Sequence, residues 1–187
     1  GSTLFIVTIF FITFVARTIL SPLLLSVEAE MGISHAEGGS LFLFLSTGVV
    51  VMLLLSGVVL KHLNHHTCIA LAAVTAGAGL FLTAASGVLF WFKVGLFVLG
   101  VGSGLYLPSG IVTITELVRA ERRGMAISLH ELGPILGLAA APFFAELALR
   151  TAGWRSLLYI LGGVSVLLGF LYARFGAGGR FHGAPPA

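Results

Sequence analysis

Six apolar segments, each long enough to cross a lipid bilayer, take up most of this 187-residue chain. A helix that spans the hydrocarbon core needs roughly 20 predominantly apolar residues. The segments that meet this length run over about residues 3–27, 37–60, 67–86, 92–118, 124–149 and 156–175. The connections between them are short, so consecutive helices should lie antiparallel to one another. The sequence therefore predicts an all-α fold, a polytopic membrane bundle of six transmembrane helices.

The composition agrees with lipid rather than water as the solvent. Hydrophobic residues make up 58% of the chain and charged residues 9%, whereas about a quarter of the residues in a soluble domain are charged. The formal net charge of +3 is too small and too scattered to indicate a nucleic-acid partner. Cys68 is the single cysteine, so no disulfide can form within the chain. We predict no cofactor and no resident metal ion.

Basic residues indicate the orientation of the chain, because connections rich in Lys and Arg stay in the cytoplasm. With the N-terminus inside, the inner connections and the tail hold Lys61, Arg119, Arg122, Arg123, Arg174 and Arg180. The outer connections hold only Lys93, Arg150 and Arg155. We therefore expect both termini in the cytoplasm. Residues 176–187 (GAGGRFHGAPPA) should form a flexible cytosolic tail or the start of a linker.

Arg17 is a cation well inside the first apolar segment, with Pro22 five residues further on. At about 1.5 Å per residue it lies roughly 20 Å from the start of the helix, too deep to reach the inner surface easily. A guanidinium at this depth needs an anion or a set of carbonyl oxygens. One hypothesis is a clamp for a substrate carboxylate or phosphate, since the planar fork suits both groups. The other is a structural pair with a glutamate or with carbonyls freed near Pro22.

His130 and Glu131 are the ionisable pair of the fifth segment. They follow Gly124 by six and seven residues, which places them about 10 Å into the membrane. A carboxylate at this depth is expensive, and a histidine titrates near neutral pH, so the pair has the chemistry of a proton carrier. The alternative is a glutamate that hydrogen-bonds across the bundle and only supports helix packing.

Glycine and proline mark the fourth and fifth segments. Small residues at helical spacing let helix backbones approach closely in lipid, and proline removes a backbone donor and bends a helix. Both features recur among Gly100, Gly102, Gly104, Pro108, Gly133, Pro134 and Gly137.

Two charged or metal-binding patterns lie at the predicted inner surface. Glu116 precedes Arg119 and Arg123, which predicts an ion-pair network at the turn between the fourth and fifth helices. The second connection carries three histidines at helical spacing, a geometry that a metal ion accepts, although histidine-rich loops without metal are common at membrane surfaces. These histidines are His62, His65 and His66.

Taken in order, these features resemble the N-terminal six-helix half of a major facilitator superfamily transporter. The residues that carry the resemblance are Arg17 with Ser21-Pro22 ending the first helix, Gly57 opening the second connection, Gly100, Gly102 and Pro108 in the fourth helix, Arg122-Arg123-Gly124 in the turn, Gly133-Pro134-x-x-Gly137 in the fifth helix and Gly153-Trp154-Arg155 before the sixth. The chain departs from the family at the second connection, where the usual aspartate and second glycine are absent.

The resemblance implies secondary active transport of a small solute by alternating access, with two inverted three-helix repeats in this half. We expect a proton or exchange gradient as the driving force, and Arg17 favours a small organic or inorganic anion as the solute. It implies a cavity whose polar groups in this chain are Arg17, Ser21, Tyr106, Ser109 and His130, with His130 and Glu131 in proton coupling. Pro22 and Pro108 are expected to break the helices that line the cavity. The resemblance also implies a cytosolic gate that involves Gly57, Glu116, Arg119 and Arg123. A small-molecule substrate and membrane lipid are the expected partners. The chain should be a fragment, or should need a second six-helix half from a partner subunit.

Other six-helix membrane proteins fit the residues less well. Ser103 lies between two glycines as in an intramembrane serine protease, but the sixth segment contains no histidine to act as its base. Water channels need paired Asn-Pro-Ala motifs, and Asn64 is the single asparagine of the chain. Mitochondrial-type carriers need aspartates, which the chain lacks. A membrane scaffold or sensor that does not transport remains the main alternative.

Overall fold

The computed structural model describes residues 2–178, and helices are the regular elements of this part of the chain. They are α1 (Ser2–Thr18), α2 (Leu20–Met31), α3 (His35–Val59), α4 (His65–Ala85), α5 (Leu89–Glu116), α6 (Arg123–Thr151) and α7 (Trp154–Phe175), with a single 3₁₀ turn at Ala120–Arg122. Together α1 and α2 form the first membrane span, and each later helix forms one more, so the six predicted spans are confirmed. Gly1 and residues 179–187, which include Arg180 and most of the predicted tail, lie outside the described residues.

Capping groups set several helix ends. Ser34 begins α3 with a capping box, in which its hydroxyl accepts from the Glu37 backbone N–H and Glu37 accepts in return. The Asn64 side chain caps α4 by accepting from the Thr67 N–H at 2.8 Å. Gly32 ends α2 with a left-handed φ of 64°. The first span therefore reaches Met31 rather than ending near residue 27, because the helix has no stop signal before Gly32.

Proline breaks the first span but not the fourth or fifth. α1 stops at Thr18 and α2 begins at Leu20, two residues before Pro22. Pro22 has no N–H to bond the Thr18 carbonyl, and its ring crowds that carbonyl. The Thr18 hydroxyl bonds the Phe14 carbonyl at 2.9 Å, a bond that also bends helices. The prediction that Ser21-Pro22 ends the first helix is therefore wrong: the span bends near residue 19 and continues.

The predicted break at Pro108 is also absent, since α5 runs without interruption from Leu89 to Glu116. α6 likewise continues through Pro134 and Pro142. Close contacts on two sides of α5 hold it in place, so the bend that proline favours has no room to grow into a break.

The helices form two layers whose contacts reflect an internal repeat. The front layer runs in the order α3, α5, α1, α6, and the back layer is α4 and α7. Exchanging the first three spans with the last three maps the main contacts onto one another. The contact of α3 with α5 then corresponds to that of α6 with α1, and the contact of α4 with α5 to that of α7 with α1. The contacts of α4 with α7 and of α1 with α5 correspond to themselves. Two three-helix repeats therefore build one bundle.

Glycines let α5 pack at the centre of the bundle. Gly100 and Gly104 face α3, where a Cβ would collide with the carbonyls of Leu45 and Val49. Gly102 faces the opposite way, against the backbone of Ala76 in α4. Positions two residues apart lie on roughly opposite sides of a helix, so this alternating run serves two neighbours at once.

Trp154 and Arg155 join the start of α7 to its neighbouring helices. The Arg155 Nε donates to Glu30 of α2 at 2.7 Å, and its Nη1 donates to the Ala84 and Ser86 carbonyls at the end of α4 at 2.5 and 2.8 Å. The Trp154 indole donates to the other Glu30 oxygen at 2.6 Å. The start of α7 is thereby tied to both α2 and α4, which explains the Gly-Trp-Arg pattern of the sequence.

We predict that Arg155→Ala lowers the free energy of unfolding by about 1–2 kcal/mol, because three hydrogen bonds from a charged donor are lost at a partly exposed site. Unfolding in mixed micelles, followed by tryptophan fluorescence, measures this change. Arg150→Ala is the matched control, since Arg150 forms one exposed pair with Glu146 within α6 and such a pair is worth about 0.3–0.5 kcal/mol. Equal effects of the two variants would contradict the role of Arg155 as a fastener.

Candidate functional site

The structure brings Tyr106 of α5 and His130 of α6 together beside α1. Their rings are parallel to within 3°, and the Tyr106 hydroxyl lies 3.0 Å from the His130 Nε2. Phe10 of α1 stacks on both rings, with centroid distances of 4.9 Å to Tyr106 and 4.1 Å to His130. All three side chains are buried. Three front-layer helices therefore meet in one sealed aromatic cluster.

Hydrogen bonds continue from this cluster in two directions. The Tyr106 hydroxyl also lies 2.9 Å from the Ile6 carbonyl oxygen of α1, with which it is bonded. The His130 Nδ1 lies 3.1 Å from Glu131 Oε1. The His130 side chain is 1% exposed and that of Glu131 is 52% exposed. The chain of contacts thus leads from the accessible carboxylate of Glu131 through buried His130 and Tyr106 to the backbone of α1.

Arg17 and Ser21 lie apart from the cluster, around the break between α1 and α2. The Arg17 guanidinium is half-buried and lies over the Phe14 ring at 5.4 Å. Among residues 2–178, no carboxylate forms an ion pair with it. Ser21 is one turn further on and exposed. Two adjacent polar groups therefore reach the surface of the bundle within the first span.

Ser109 does not face this surface. It is fully buried on α5, where its hydroxyl lies 3.3 Å from the Nδ1 of buried His65 at the start of α4. Tyr106 and His130 are also sealed. Three of the five polar groups that we placed at a cavity thus lie in contacts between helices in this conformation, and two reach the surface.

The glycines of α6 place it against α1. A Cβ on Gly133 or Gly137 would lie 3.3 Å from the backbone of Phe11. Pro134 is partly buried beside them. A groove of about 580 Å³ runs between the two helices over this contact, with apolar walls that include Val7, Phe11 and Leu132. None of the described residues that line this groove is charged, so its walls favour apolar contacts.

The residues of the predicted gate lie at the end of the bundle where α3 and α5 end and α6 begins. Gly57 is exposed in the last turn of α3, so it lies within the helix and does not open the connection. Glu116 is the last residue of α5 and is partly buried. Arg119 and Arg123 are exposed on either side of the 3₁₀ turn. The ion-pair network among Glu116, Arg119 and Arg123 stays a prediction.

The histidines of the second connection, between α3 and the start of α4, contact different partners. His65 bonds Ser109 of α5, whereas the His66 ring stacks on Tyr172 of α7 with centroids 4.8 Å apart. Within residues 2–178, no three His, Cys, Asp or Glu side chains converge as metal ligands would. The connection therefore ties α4 to two neighbouring helices.

Ser103 has the contacts of a packing residue. Its buried hydroxyl donates to the Leu99 carbonyl of its own helix at 2.9 Å. A nucleophilic serine needs a base within hydrogen-bond reach, and no histidine among the described residues bonds Ser103. Protease chemistry therefore has no support at this position.

Sequence reasoning found the residues that α5 and α6 contribute to this cluster but missed those of α1. Tyr106 and His130 were singled out as polar groups inside apolar segments, whereas Phe10 and the Ile6 carbonyl gave no signal. Ile6 and Phe10 are four residues apart and share one face of α1. Because every face of this helix is apolar, the sequence does not show which of its faces meets α5 and α6.

Comparison with known proteins identifies the fold. The family model described as Major Facilitator Superfamily matches residues 6–180 of the chain. A probable sulfoacetate transporter of Cupriavidus necator is 26% identical over 166 residues, which cover 89% of this chain and 39% of that protein. The chain thus spans well under two thirds of this curated relative.

Two solved structures share the arrangement of helices. A bacterial homologue of the human lysosomal transporter Spinster, in an inward-facing and unoccupied conformation, superposes with a TM-score of 0.87 at 15% identity, over 100% of this chain and 44% of that one. A proton:xylose symporter superposes with a TM-score of 0.81 at 17% identity, over 92% of this chain and 43% of that one.

The match covers nearly every residue that the structure describes, and the two-layer bundle of six spans agrees with it. The chain is an integral, multi-pass membrane protein that belongs to the major facilitator superfamily.

Proposed function

We propose that this chain forms one half of a secondary transporter that moves a small organic anion by alternating access, with proton coupling. Arg17 is the observation that carries the proposal. Removing a guanidinium from water is costly unless an anion or several acceptors replace the water. Arg17 is half-buried without a carboxylate partner among the described residues. A substrate carboxylate, sulfonate or phosphate supplies the missing charge.

The break after Thr18 supports a binding role at the same place. Pro22 frees the Thr18 carbonyl next to Arg17, and irregular backbone inside a membrane is tolerated only where protein or a wet cavity satisfies it. Exposed Ser21 adds a hydroxyl one turn away. A guanidinium, a hydroxyl and a free carbonyl together suit a small oxyanion that also carries a donor group.

The least buried spans indicate where a second half packs. Among the six spans, α3 and α6 have the smallest buried share. They form the two ends of the front layer, and α3 exposes a long apolar row that includes Leu43, Val50 and Leu54. A second six-helix half, on the same chain or on a partner subunit, covers this layer and completes a cavity that opens alternately to the two sides of the membrane.

The names of similar proteins support an anion only weakly. One relative is named for sulfoacetate, which is an anion, whereas one of the solved neighbours is named for xylose, which is neutral. The lean to an anion in this chain therefore rests on Arg17.

Glu131 and His130 supply the proposed coupling. A half-exposed carboxylate beside a buried imidazole can take a proton from a wet cavity and hold it inside the bundle. The pair lies on α6, one of the two least buried spans, so the proton site and the proposed cavity share one layer of the bundle.

A scaffold or sensor that does not transport is the second candidate, and the sealed positions of Tyr106, Ser109 and His130 favour it. Such a protein needs its polar groups only to fix helix contacts. Exposed Glu131 and unpaired Arg17 argue for transport instead, since neither fixes a contact between helices.

We predict that Arg17→Lys raises the KM for anion uptake by roughly 10-fold or more, because a lysine cannot make the two parallel hydrogen bonds of a guanidinium. Uptake of labelled organic anions by the intact protein in proteoliposomes measures the change. Arg150→Lys, at an exposed position on α6, is the control and should leave KM unchanged. An Arg17→Lys variant with normal KM and rate would show that the clamp role is wrong.

Glu131→Gln should abolish accumulation of substrate against its gradient while substrate exchange continues. The amide cannot carry a proton across the cycle, but it leaves the substrate groups intact. Glu146→Gln is the matched control on the same helix, since Glu146 is exposed and paired with Arg150. Normal accumulation by Glu131→Gln in an imposed pH gradient would end the proton-carrier proposal.

The proposed orientation predicts the sides at which introduced cysteines react. Lys61→Cys, between α3 and α4, should be labelled by a membrane-impermeant maleimide only after cells are permeabilised, and Ala36→Cys, at the start of α3, should be labelled in intact cells. Both positions are exposed and native Cys68 is buried, so background labelling is low. The reverse pattern would place both termini outside.

A further inference from the structure

We infer that Tyr106 is a positioning residue that reports the proton load of the His130–Glu131 pair to α1: its hydroxyl holds the Ile6 carbonyl when the pair carries the proton and releases it when the proton leaves. The inference deepens the proposed function, because it takes that pair to be the coupling site. It gives Tyr106 a role different from that of a substrate ligand, in agreement with its complete burial.

The number of hydrogens in the cluster leads to this assignment. Three short contacts run in a row: Ile6 O to Tyr106 Oη at 2.9 Å, Tyr106 Oη to His130 Nε2 at 3.0 Å, and His130 Nδ1 to Glu131 Oε1 at 3.1 Å. Each contact needs one hydrogen. The Ile6 carbonyl brings none, Tyr106 brings one, a neutral imidazole brings one and a carboxylate brings none. Two hydrogens cannot serve three contacts.

One added proton completes the row. With the imidazole doubly protonated, Nδ1–H donates to the Glu131 carboxylate and Nε2–H donates to the Tyr106 oxygen. The Tyr106 hydroxyl then donates to the Ile6 carbonyl. A protonated Glu131 beside an imidazole that carries its hydrogen on Nε2 gives the same direction at Tyr106. The observed arrangement is therefore that of the proton-loaded cluster.

When the proton leaves, the Tyr106 O–H turns from the Ile6 carbonyl to the His130 Nε2. The remaining imidazole hydrogen stays on Nδ1, where it bonds a charged carboxylate, because charge-assisted hydrogen bonds are the stronger ones. Nε2 then has a lone pair and must accept from Tyr106. The Tyr106 oxygen now faces the Ile6 carbonyl oxygen without a hydrogen between them, so α1 separates from α5 at this point.

Among residues 2–178, no charged side chain other than those of the His130–Glu131 pair is bonded to the cluster. Phe10 of α1 covers the Tyr106 and His130 rings. The titratable groups that face the cluster from the back layer are Tyr172 of α7, which acts on Tyr106, and beyond it His66 of α4, which stacks on Tyr172. Arg17 lies over Phe14, one turn of α1 away from Phe10. The proton on the His130–Glu131 pair thus sets the direction in which the Tyr106 hydroxyl donates its hydrogen bond.

Infrared difference spectroscopy of the intact protein in nanodiscs tests the inference. With ring-labelled tyrosine, the C–O stretch of Tyr106 should shift between low and high pH, as the His130–Glu131 pair loses its proton. Tyr106→Phe should remove this band and keep the stacking on Phe10, while Tyr159→Phe, at an exposed position on α7, should retain it. A spectrum without a pH-dependent tyrosine band, or a band unchanged in Tyr106→Phe, would overturn the inference.

Glu131→Gln gives a second test that keeps Tyr106 in place. The glutamine amide can donate to Nδ1 of a neutral imidazole or accept from Nδ1–H of a charged one. In both cases Nε2 carries a hydrogen for the Tyr106 oxygen, and Tyr106 stays bonded to the Ile6 carbonyl. The tyrosine band should therefore stay at its low-pH position throughout the range. A band that still moves with pH in this variant would contradict the hydrogen count.

Transport measurements separate this inference from the proposed function. Tyr106→Phe should lower proton-driven accumulation at least 10-fold and leave the KM for exchange within about twofold, since the hydroxyl does not touch substrate. A pH-dependent Tyr106 band in a protein that moves no solute would refute the function and keep the inference. Proton-coupled transport that survives Tyr106→Phe would refute the inference and keep the function.

Discussion

Lipid offers no hydrogen bonds, so every polar group within these six spans must find its partner inside the protein. Many described hydroxyls obey this constraint by bonding a carbonyl of their own helix, and several larger polar side chains do so by joining different helices. Arg155 satisfies two carbonyls and a glutamate at the outer end, and His65 bonds Ser109 at the inner end. Tyr106 joins α5 to both α1 and α6. Arg17 has no ion-pair partner among residues 2–178, and the proposed function follows from this observation.

The second condition of the fold is close backbone packing where the hydrophobic effect gives no drive for association. Glycines on two sides of α5 bring it against α3 and α4, and glycines of α6 bring it against α1. These tight contacts lie between the two repeats and hold them together as one bundle. Movement is then expected at sites held by single polar bonds, and the Tyr106–Ile6 bond is one of these. The bend after Thr18 lies in the same helix, three turns further on.

The sequence was sufficient for the six spans, the all-helical fold and the resemblance to the family, because apolar length and glycine spacing act locally along the chain. It was not sufficient for the direction of side chains. In a soluble helix the polar face marks the outside, whereas α5 is apolar on every face, so Ser109 and Tyr106 gave equal signals and both were assigned to a cavity. The structure buries both, Ser109 against His65 and Tyr106 against Phe10. The effect of proline also differed between helices: Pro22 interrupts the first span, whereas α5 continues through Pro108 between its close contacts with α3 and α4.

The central claim is that Arg17 and Ser21 belong to a wet wall that an anionic substrate occupies. The most direct measurement is the reaction of Ser21→Cys with a charged, membrane-impermeant methanethiosulfonate in the intact protein, compared with Phe170→Cys on the exposed back of α7. The account predicts that the cysteine at position 21 reacts rapidly, that an organic anion slows this reaction, and that the cysteine at position 170 reacts slowly whether or not the anion is present. Equal, slow reaction at both positions would place Arg17 and Ser21 against lipid or a sealed contact and would contradict the account.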